Sequence, residues 1–326
     1  MILINRPHTD PYFNIAAEEY ILKAFDEDVF MLWQNEPSII VGKHQNTLAE
    51  INYQFVKENN IPVIRRISGG GTVFHDLGNL NFSFIKNGEK GKLVDFKRFT
   101  DPIVNILNEM GVPAKFEGKN DLRVNGLKIS GNAEHVFKNR VLHHGTLLFS
   151  SDLSYLNKAI KVNAGRFEDR AVKSNRSMVA NITDFMNPAV VIENFKEQII
   201  EFVGRKESNP EFYSLTGKDI LEIDNLVTEK YSKWSWNFGY SPKYSLQNSI
   251  KTEYGIIVFN TQVENGMIKK LNISGDGIDF ILKKKAEQMF TGTPHSESEV
   301  NNKLQNGWQD YGNTGLTAIN ILKGLF

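Results

Sequence analysis

The sequence predicts an α/β (α+β) fold in two parts: a large domain over residues 1–244 and a small C-terminal α+β domain over 250–326. Three observations carry this. The chain has 326 residues, more than one small domain needs and suited to a large domain plus a smaller one. Strand-like and helix-like apolar periods follow one another through the first 230 residues or so. The segment Trp234–Pro242 then breaks both periods, and strand patterns resume beyond it.

Taken in order, Ile2–Asn5 reads as a short strand. Asp10-Pro11 is a helix start, an N-cap residue followed by proline at the first helical position, and Phe13, Ala16, Ala17, Tyr20, Ile21 and Ala24 keep helical spacing after it. Val29–Trp33 and Ile39–Gly42 read as strands, Tyr53–Glu58 as a short helix and Pro62–Arg66 as a strand running into a glycine cluster. In Asn79–Ile85, Leu80, Phe82 and Phe84 fall on one face of a half-buried strand. Phe96–Met110 is a helix stopped by Gly111. Leu122–Ile129 is a hairpin about Asn125-Gly126, the strongest short-range hairpin signal. Val141–Phe149 is a strand and Leu153–Ile160 a helix. Residues 161–181 have no period and read as a long loop of the kind that often carries function. Ala189–Val203 and Lys218–Tyr231 read as helices. In the small domain, strands near Thr252–Phe259 and Met267–Ser274 flank Asn265-Gly266, with helices near 278–290, near 297–305 and in the last dozen residues.

Composition excludes several kinds of chemistry. With 38 basic and 38 acidic residues the formal charge is zero, so there is no general polyanion-binding character and nucleic acid is not the expected partner. The chain has no cysteine, which removes disulfides, cysteine-held zinc and thiolate nucleophiles. The N-terminus is apolar for only three residues after Met1 and no stretch approaches a membrane span, so no membrane association and a cytoplasmic location are expected.

Three clusters carry chemistry. In Arg65-Arg66-Ile67-Ser68-Gly69-Gly70-Gly71-Thr72-Val73-Phe74-His75-Asp76, the glycines open backbone paths closed to other residues and let main-chain N–H groups cradle an anion; two forked arginines stand at the entrance. A tight turn between strands would need the same glycines. The spacing fits neither a P-loop nor a dinucleotide fingerprint. In Asn120–Gly131, alternation about the turn places Leu122, Val124, Leu127 and Ile129 on an apolar face. Asp121, Arg123, Lys128 and Ser130 fall on the other, with Lys128 and Asp121 as diagonal neighbours. A hairpin with one solvated face gives that pattern too. In His143-His144-Gly145-Thr146-Leu147-Leu148, adjacent histidines point to opposite faces and are poor joint metal ligands.

These motifs, Arg-Arg-x-Ser-Gly-Gly-Gly-Thr-Val-Phe-His-Asp at 65–76, Asn-Asp-Leu…Lys-Ile-Ser-Gly at 120–131 and His-His-Gly-Thr-Leu-Leu at 143–148, resemble in kind and order those of the lipoate–protein ligases. Asp10–Glu19, Trp33, Gly42, Gln45-Asn46 and Trp234–Pro242 are similar as well, so the likeness spans nearly the whole chain. The resemblance implies a large mixed-sheet catalytic domain of the biotin/lipoate protein ligase type with a small C-terminal accessory domain. It implies that lipoate attacks ATP to give lipoyl-AMP and that a carrier lysine then takes the acyl group. It assigns catalysis to Lys128, between phosphate and carbonyl. ATP or adenylate contacts fall to Arg66, Gly71, Thr72, Val73, Phe74 and Lys128, with Val179, Asn181 and Ile182 from the adenylate loop. Lipoate contacts fall to Ser68, Gly69, Gly70, His75, Lys128 and His144, and Mg²⁺ to Asp121 with Asn120. The expected partners are lipoyl carriers (the glycine-cleavage H protein, E2 subunits of oxoacid dehydrogenases), and a monomer is expected. The alternatives are a lipoyl or octanoyl transferase, whose cysteine this chain lacks, or a non-catalytic carrier-binding relative.

Overall fold

Alternation of bulky apolar and small polar residues builds the main sheet. The computed structural model describes residues 1–88, 93–160, 165–175, 177–187, 190–276, 278–310 and 315–326. Within them the chain forms two compact units.

The first unit holds an eight-stranded mixed sheet. Its spatial order is Glu211–Phe212, Ile2–Asn5, Val29–Trp33, Asn79–Asn87, Arg140–Leu148, Leu127–Phe137, Asp121–Val124 and Lys115–Glu117. Strands 2–5 and 29–33 run parallel, and the central pairs are antiparallel. Along Asn79–Asn87, Leu80, Phe82 and Phe84 all point into the core against the helices Phe96–Glu109 and Ile192–Arg205, each buried aromatic contributing roughly 1.5–3 kcal/mol. Residues between them face the other way, and the helix Pro11–Ala24 covers that second face, Glu18 reaching Ser83 and His144. The helix begins as expected: Asp10 accepts from the Phe13 N–H at 2.7 Å. A small sheet of Val63–Arg65, Ser38–Val41 and Val73–His75 carries the glycine loop between its outer strands.

The second unit is a four-stranded antiparallel sheet, Phe167–Asp169, Tyr244–Thr252, Gly255–Glu264 and Met267–Gly275, with the helices Phe280–Phe290, Glu297–Gly307 and Ala318–Leu325 packed on its apolar side. Asn265 and Gly266 sit at φ 52° and 72°, the conformation a two-residue hairpin turn requires. The strand Tyr244–Thr252 lies where no strand was expected.

The units are not consecutive stretches. The second gathers His44–Glu58, Lys161–Lys173 and Lys233–Phe326, whereas the sequence expectation divided the chain at 244/250. Long-range pairing makes the difference. Phe167–Asp169 pairs with Tyr244–Leu246, and Leu48 and Tyr53 join the small unit's apolar cluster. Part of the loop expected over 161–181 (161–164 and 176), and Ala189 at the start of the expected helix 189–203, lie outside the described residues. No helix among the described residues is long and apolar enough to cross a membrane.

Candidate active site

The turn at Asn125-Gly126 forms as the dipeptide demands, with φ 50° and 79°, and pairs Val124 with Leu127 and Arg123 with Lys128. Beyond that the ladder departs from simple alternation. Leu122 pairs with Ser130, not Ile129, because a bulge inserts one residue. As a result Ser130 is buried rather than sharing the polar face. On the side away from Arg123, the Lys128 N–H donates to Met178 O at 2.9 Å and the Ala180 N–H donates to Lys128 O at 3.1 Å, so the lysine's backbone forms a bridge with Val179. Its ammonium meets Asp121 at 2.8 Å, and the other Asp121 oxygen accepts from Arg123 at 2.8 Å. Arg123 also donates to Ser177 Oγ at 3.0 Å. Lys128 lies back over Gly131, where a Cβ would stand 2.9 Å from Nζ.

The glycine loop is held from inside. Arg66 is buried, and it donates from Nε to Ser68 Oγ (3.0 Å), from Nη1 to Ile40 O (3.2 Å), and from Nη2 to Gly69 O (2.5 Å) and Gly71 O (2.8 Å). Burial lowers its pKa to about 10, with Glu18 pulling the other way. Gly70 takes φ 88°, where a side chain would be strained. The Thr72 N–H donates to Ser174 Oγ at 2.9 Å, and Phe74 packs against Tyr155 at 5.5 Å between ring centroids.

The histidines divide by face. His144 is buried between Glu18 and Ser68. His143 points into the core between Phe82 and Phe99 and bonds Glu134 at 2.8 Å. Burial lowers its pKa and Glu134 counters that. His75 is buried beside Trp33 and accepts at Nδ1 from Asn35 (3.1 Å), while its Nε2 has no partner. Burial first, and then the neighbouring Arg66 cation, push His75 down to about 3, so it is neutral at physiological pH.

Glycine loop and hairpin meet at a cavity of about 200 Å³. Of the residues singled out in the sequence, Thr72, Val73, Phe74, Lys128 and Val179 line it. Ser68, Gly69, Gly70, Gly71, Arg66, His75 and His144 are not among its lining residues, although the loop runs directly into Thr72. Asp121 pairs with the lysine, and neither Asp121 nor Asn120 is among the lining residues. The Asn120 amide is spent on the strand, donating to Asn132 O at 2.6 Å. Asn181 and Ile182 do not face the cavity: Asn181 clamps the Ser151 backbone through bonds of 2.9 and 3.0 Å, and Ile182 is fully buried in the core. Gly131, Thr146 and Leu148, which the sequence motifs contain without a site role, line the cavity too, and so do Leu156, Asn157, Ile160, Ser174, Asn175 and Ser177, to which the sequence assigned none. Sequence reading also passed over Glu18, which reads as a helix-surface carboxylate. Among the described residues no three His, Cys, Asp or Glu side chains group as metal ligands.

Comparison with known proteins decides the family. Residues 10–204 match the family described as the lipoyl protein ligase A/B catalytic domain, and residues 241–324 that of the bacterial lipoate protein ligase C-terminus. The chain is 44% identical over 302 residues to lipoate–protein ligase 1 of Staphylococcus aureus, covering 92% of each protein. The chain belongs to the lipoate–protein ligase family. The family's fold is present in structures that resemble it: a lipoate–protein ligase A bound with ATP (27% identity, 73% of this chain and 98% of that one, TM-score 0.62) and LipL1 of P. falciparum in complex with lipoate (26% identity, 94% of each, TM-score 0.60).

Proposed function

We propose that this chain is an ATP-dependent lipoate–protein ligase that forms lipoyl-AMP and transfers the lipoyl group to a carrier lysine. One observation carries the reading: a single ammonium, Lys128, stands in the cavity where the glycine-loop wall Thr72-Val73-Phe74 meets the hairpin. The family match and the ATP- and lipoate-bound relatives support it.

In the first step a lipoate carboxylate oxygen attacks the α-phosphorus, the bond to the β-phosphate oxygen breaks and pyrophosphate leaves. In the second a neutral carrier amine attacks the acyl carbon, AMP leaves with the bonding pair and the nitrogen loses its proton. Negative charge gathers at a phosphate and a carbonyl oxygen each time. A fixed ammonium between them stabilises both transition states without covalent involvement. Asp121 holds the ammonium in place until an anion competes for it. The adenylate lies along Thr72-Val73-Phe74 and Val179, and the acyl chain runs inward past the glycine loop toward His75. The carrier is a lipoyl domain of an H protein or an E2 subunit, with catalysis by residues 1–244 and an accessory role for 250–326.

A magnesium ion would neutralise phosphate charge when bound. Among the described residues Asp121 is the one carboxylate paired with Lys128, and Asn120 precedes it. That donor set fits a cation that takes most of its oxygens from phosphates and water.

The test mixes protein, ATP, Mg²⁺ and lipoate without carrier. Lipoate-dependent lipoyl-AMP and pyrophosphate are expected. Folded protein that binds ready-made lipoyl-AMP yet makes none would overturn the reading in favour of a transferase or a carrier-binding relative.

A further inference from the structure

Behind the cavity, a file of buried hydrogen bonds runs from the sheet to the glycine loop. Trp33 Nε1–H donates to Ser83 Oγ at 2.9 Å, and Ser83 donates to Glu18 Oε1 at 2.6 Å. His144 Nδ1 lies 2.8 and 2.9 Å from the two Glu18 oxygens, and His144 Nε2 lies 2.6 Å from Ser68 Oγ. Ser68 Oγ in turn accepts from Arg66 Nε, whose Nη2 holds Gly69 O and Gly71 O. Glu18, Ser68, Ser83 and Trp33 are each no more than 2% exposed, and His144 is 8% exposed.

The direction of every bond follows from what each group is able to do. Indole and guanidinium only donate, and a carboxylate only accepts. Ser83, receiving from Trp33, therefore sends its hydrogen to Glu18. The His144 nitrogen facing that carboxylate must carry a proton, and in the neutral ring the other nitrogen is then bare and accepts. Ser68 receives from Arg66, and a bare His144 Nε2 takes its one hydrogen. The file has a single consistent polarity, and Glu18 sets it.

We propose that Glu18 is a positioning residue: by fixing the tautomer of His144 it orients Ser68, and through Ser68 it holds Arg66 and the glycine loop in the shape that leads into the cavity wall. In this arrangement Ser68 and His144 act on the loop, not on the acid. The effect on catalysis rests on the ligase reading above; the tautomer does not. An amide at position 18 can donate toward His144, which would place the imidazole proton on Nε2. Ser68 would then face two donors, with its own hydrogen turned away from His144. The Arg66–loop contacts would shift without any change in side-chain size. The logic is that of a carboxylate that selects the tautomer of a neighbouring imidazole.

The experiment reads the imidazole directly. Long-range ¹H–¹⁵N spectra of the full-length protein, with His144 assigned by its loss in His144→Gln, should show the proton on Nδ1 in the parent protein and on Nε2 in Glu18→Gln. Lipoyl-AMP formation in Glu18→Gln should fall by about tenfold or more, as displacement of a positioned loop implies. Ser68→Ala, which cuts the file on the far side of His144, should lose a similar factor and covers the case in which Glu18→Gln does not fold. A parent His144 protonated at Nε2, a tautomer unchanged in Glu18→Gln, or either variant keeping the parental rate would each overturn the proposal. The spectra need no substrate, so failure of the ligase reading, seen as an inactive parent protein, is distinguishable from failure of this one.

Discussion

Gly131→Ala tests whether the position of the Lys128 ammonium, and not merely its presence, matters. A methyl group at 131 would stand 2.9 Å from Nζ and 3.0 Å from Cε, with no other neighbour in reach. Ordinary carbon contacts begin near 3.5 Å, so the end of the lysine must retreat by roughly half an ångström to one. The backbone tolerates the change: Gly131 is not among the glycines at positive φ, and alanine in place of a strand glycine is worth up to about +1 kcal/mol of stability. Fold and catalysis should therefore separate. The thermal midpoint should stay level or rise slightly, while lipoate-dependent pyrophosphate release falls about 10- to 100-fold, the range for a misplacement of about 1 Å. Turnover within threefold of the parent, with the variant folded, would refute the idea that this ammonium is a geometrically fixed stabiliser.

Other expectations follow from the same coordinates. Lys128→Ala should lower adenylate formation by about 10²–10³, the loss seen when one transition-state donor is removed. It should cost about 1 kcal/mol or less in stability, because Asp121 keeps Arg123; a large drop in midpoint would place the lysine in the structural framework instead. Asn181→Ala removes both bonds to the Ser151 backbone and should cost about 1–3 kcal/mol in urea unfolding, leaving the affinity for lipoyl-AMP within threefold. Burial alone would raise the pKa of Glu19, but hydrogen bonds from Lys23, Lys230 and Tyr231 outweigh it and hold the group at about 2. A depressed carboxylate stabilises the fold above its unfolded pKa. That contribution, about 3 kcal/mol, is lost as pH falls from about 4.5 toward 2. Glu19→Gln should thus be less stable at neutral pH and show a shallower decline over that window in acid unfolding.

What the sequence disclosed was local. Asn125-Gly126 fixes its turn through two left-handed residues, and the pleat then brings Lys128 and Asp121 together whatever else the chain does. The bulge at Ile129 was not legible in the local alternation, and neither was the pairing of Lys128 with Met178 and Ala180, about fifty residues away. Arg66 carries contacts that the motif did not announce. A forked cation beside glycines suits phosphate, but it suits unpaired loop carbonyls equally well, and in this structure Gly69 and Gly71 take it. Asn181 and Ile182 are spent on a clamp and on the core, choices made by Ser151 and by Phe149 and Phe195 around them. Glu18 and Glu19 look like the solvated side of a helix. Both are buried, and each has a partner more than 120 residues distant, His144 for Glu18 and Lys230 for Glu19. A long-range partner of a charged residue leaves no mark in local periodicity.

The cavity gains its shape from one segment that touches both of its walls. Ser174 accepts from the Thr72 N–H on the glycine side, Ser177 accepts from Arg123 on the hairpin side, and Val179 bridges Lys128. These contacts reach the very groups the proposed chemistry calls on: a loop N–H that can face phosphate, the arginine that shares Asp121, and the lysine proposed as catalytic. An arriving phosphate would compete with Ser174 for the Thr72 N–H and with Asp121 for the Lys128 ammonium. Both exchanges replace a neutral or screened partner with a more highly charged one, so charge-assisted bonds stand in for the ones given up. The donors are therefore kept satisfied and correctly aimed before the nucleotide arrives. Little reorganisation remains for the reacting state, the condition under which fixed dipoles and charges stabilise a transition state most.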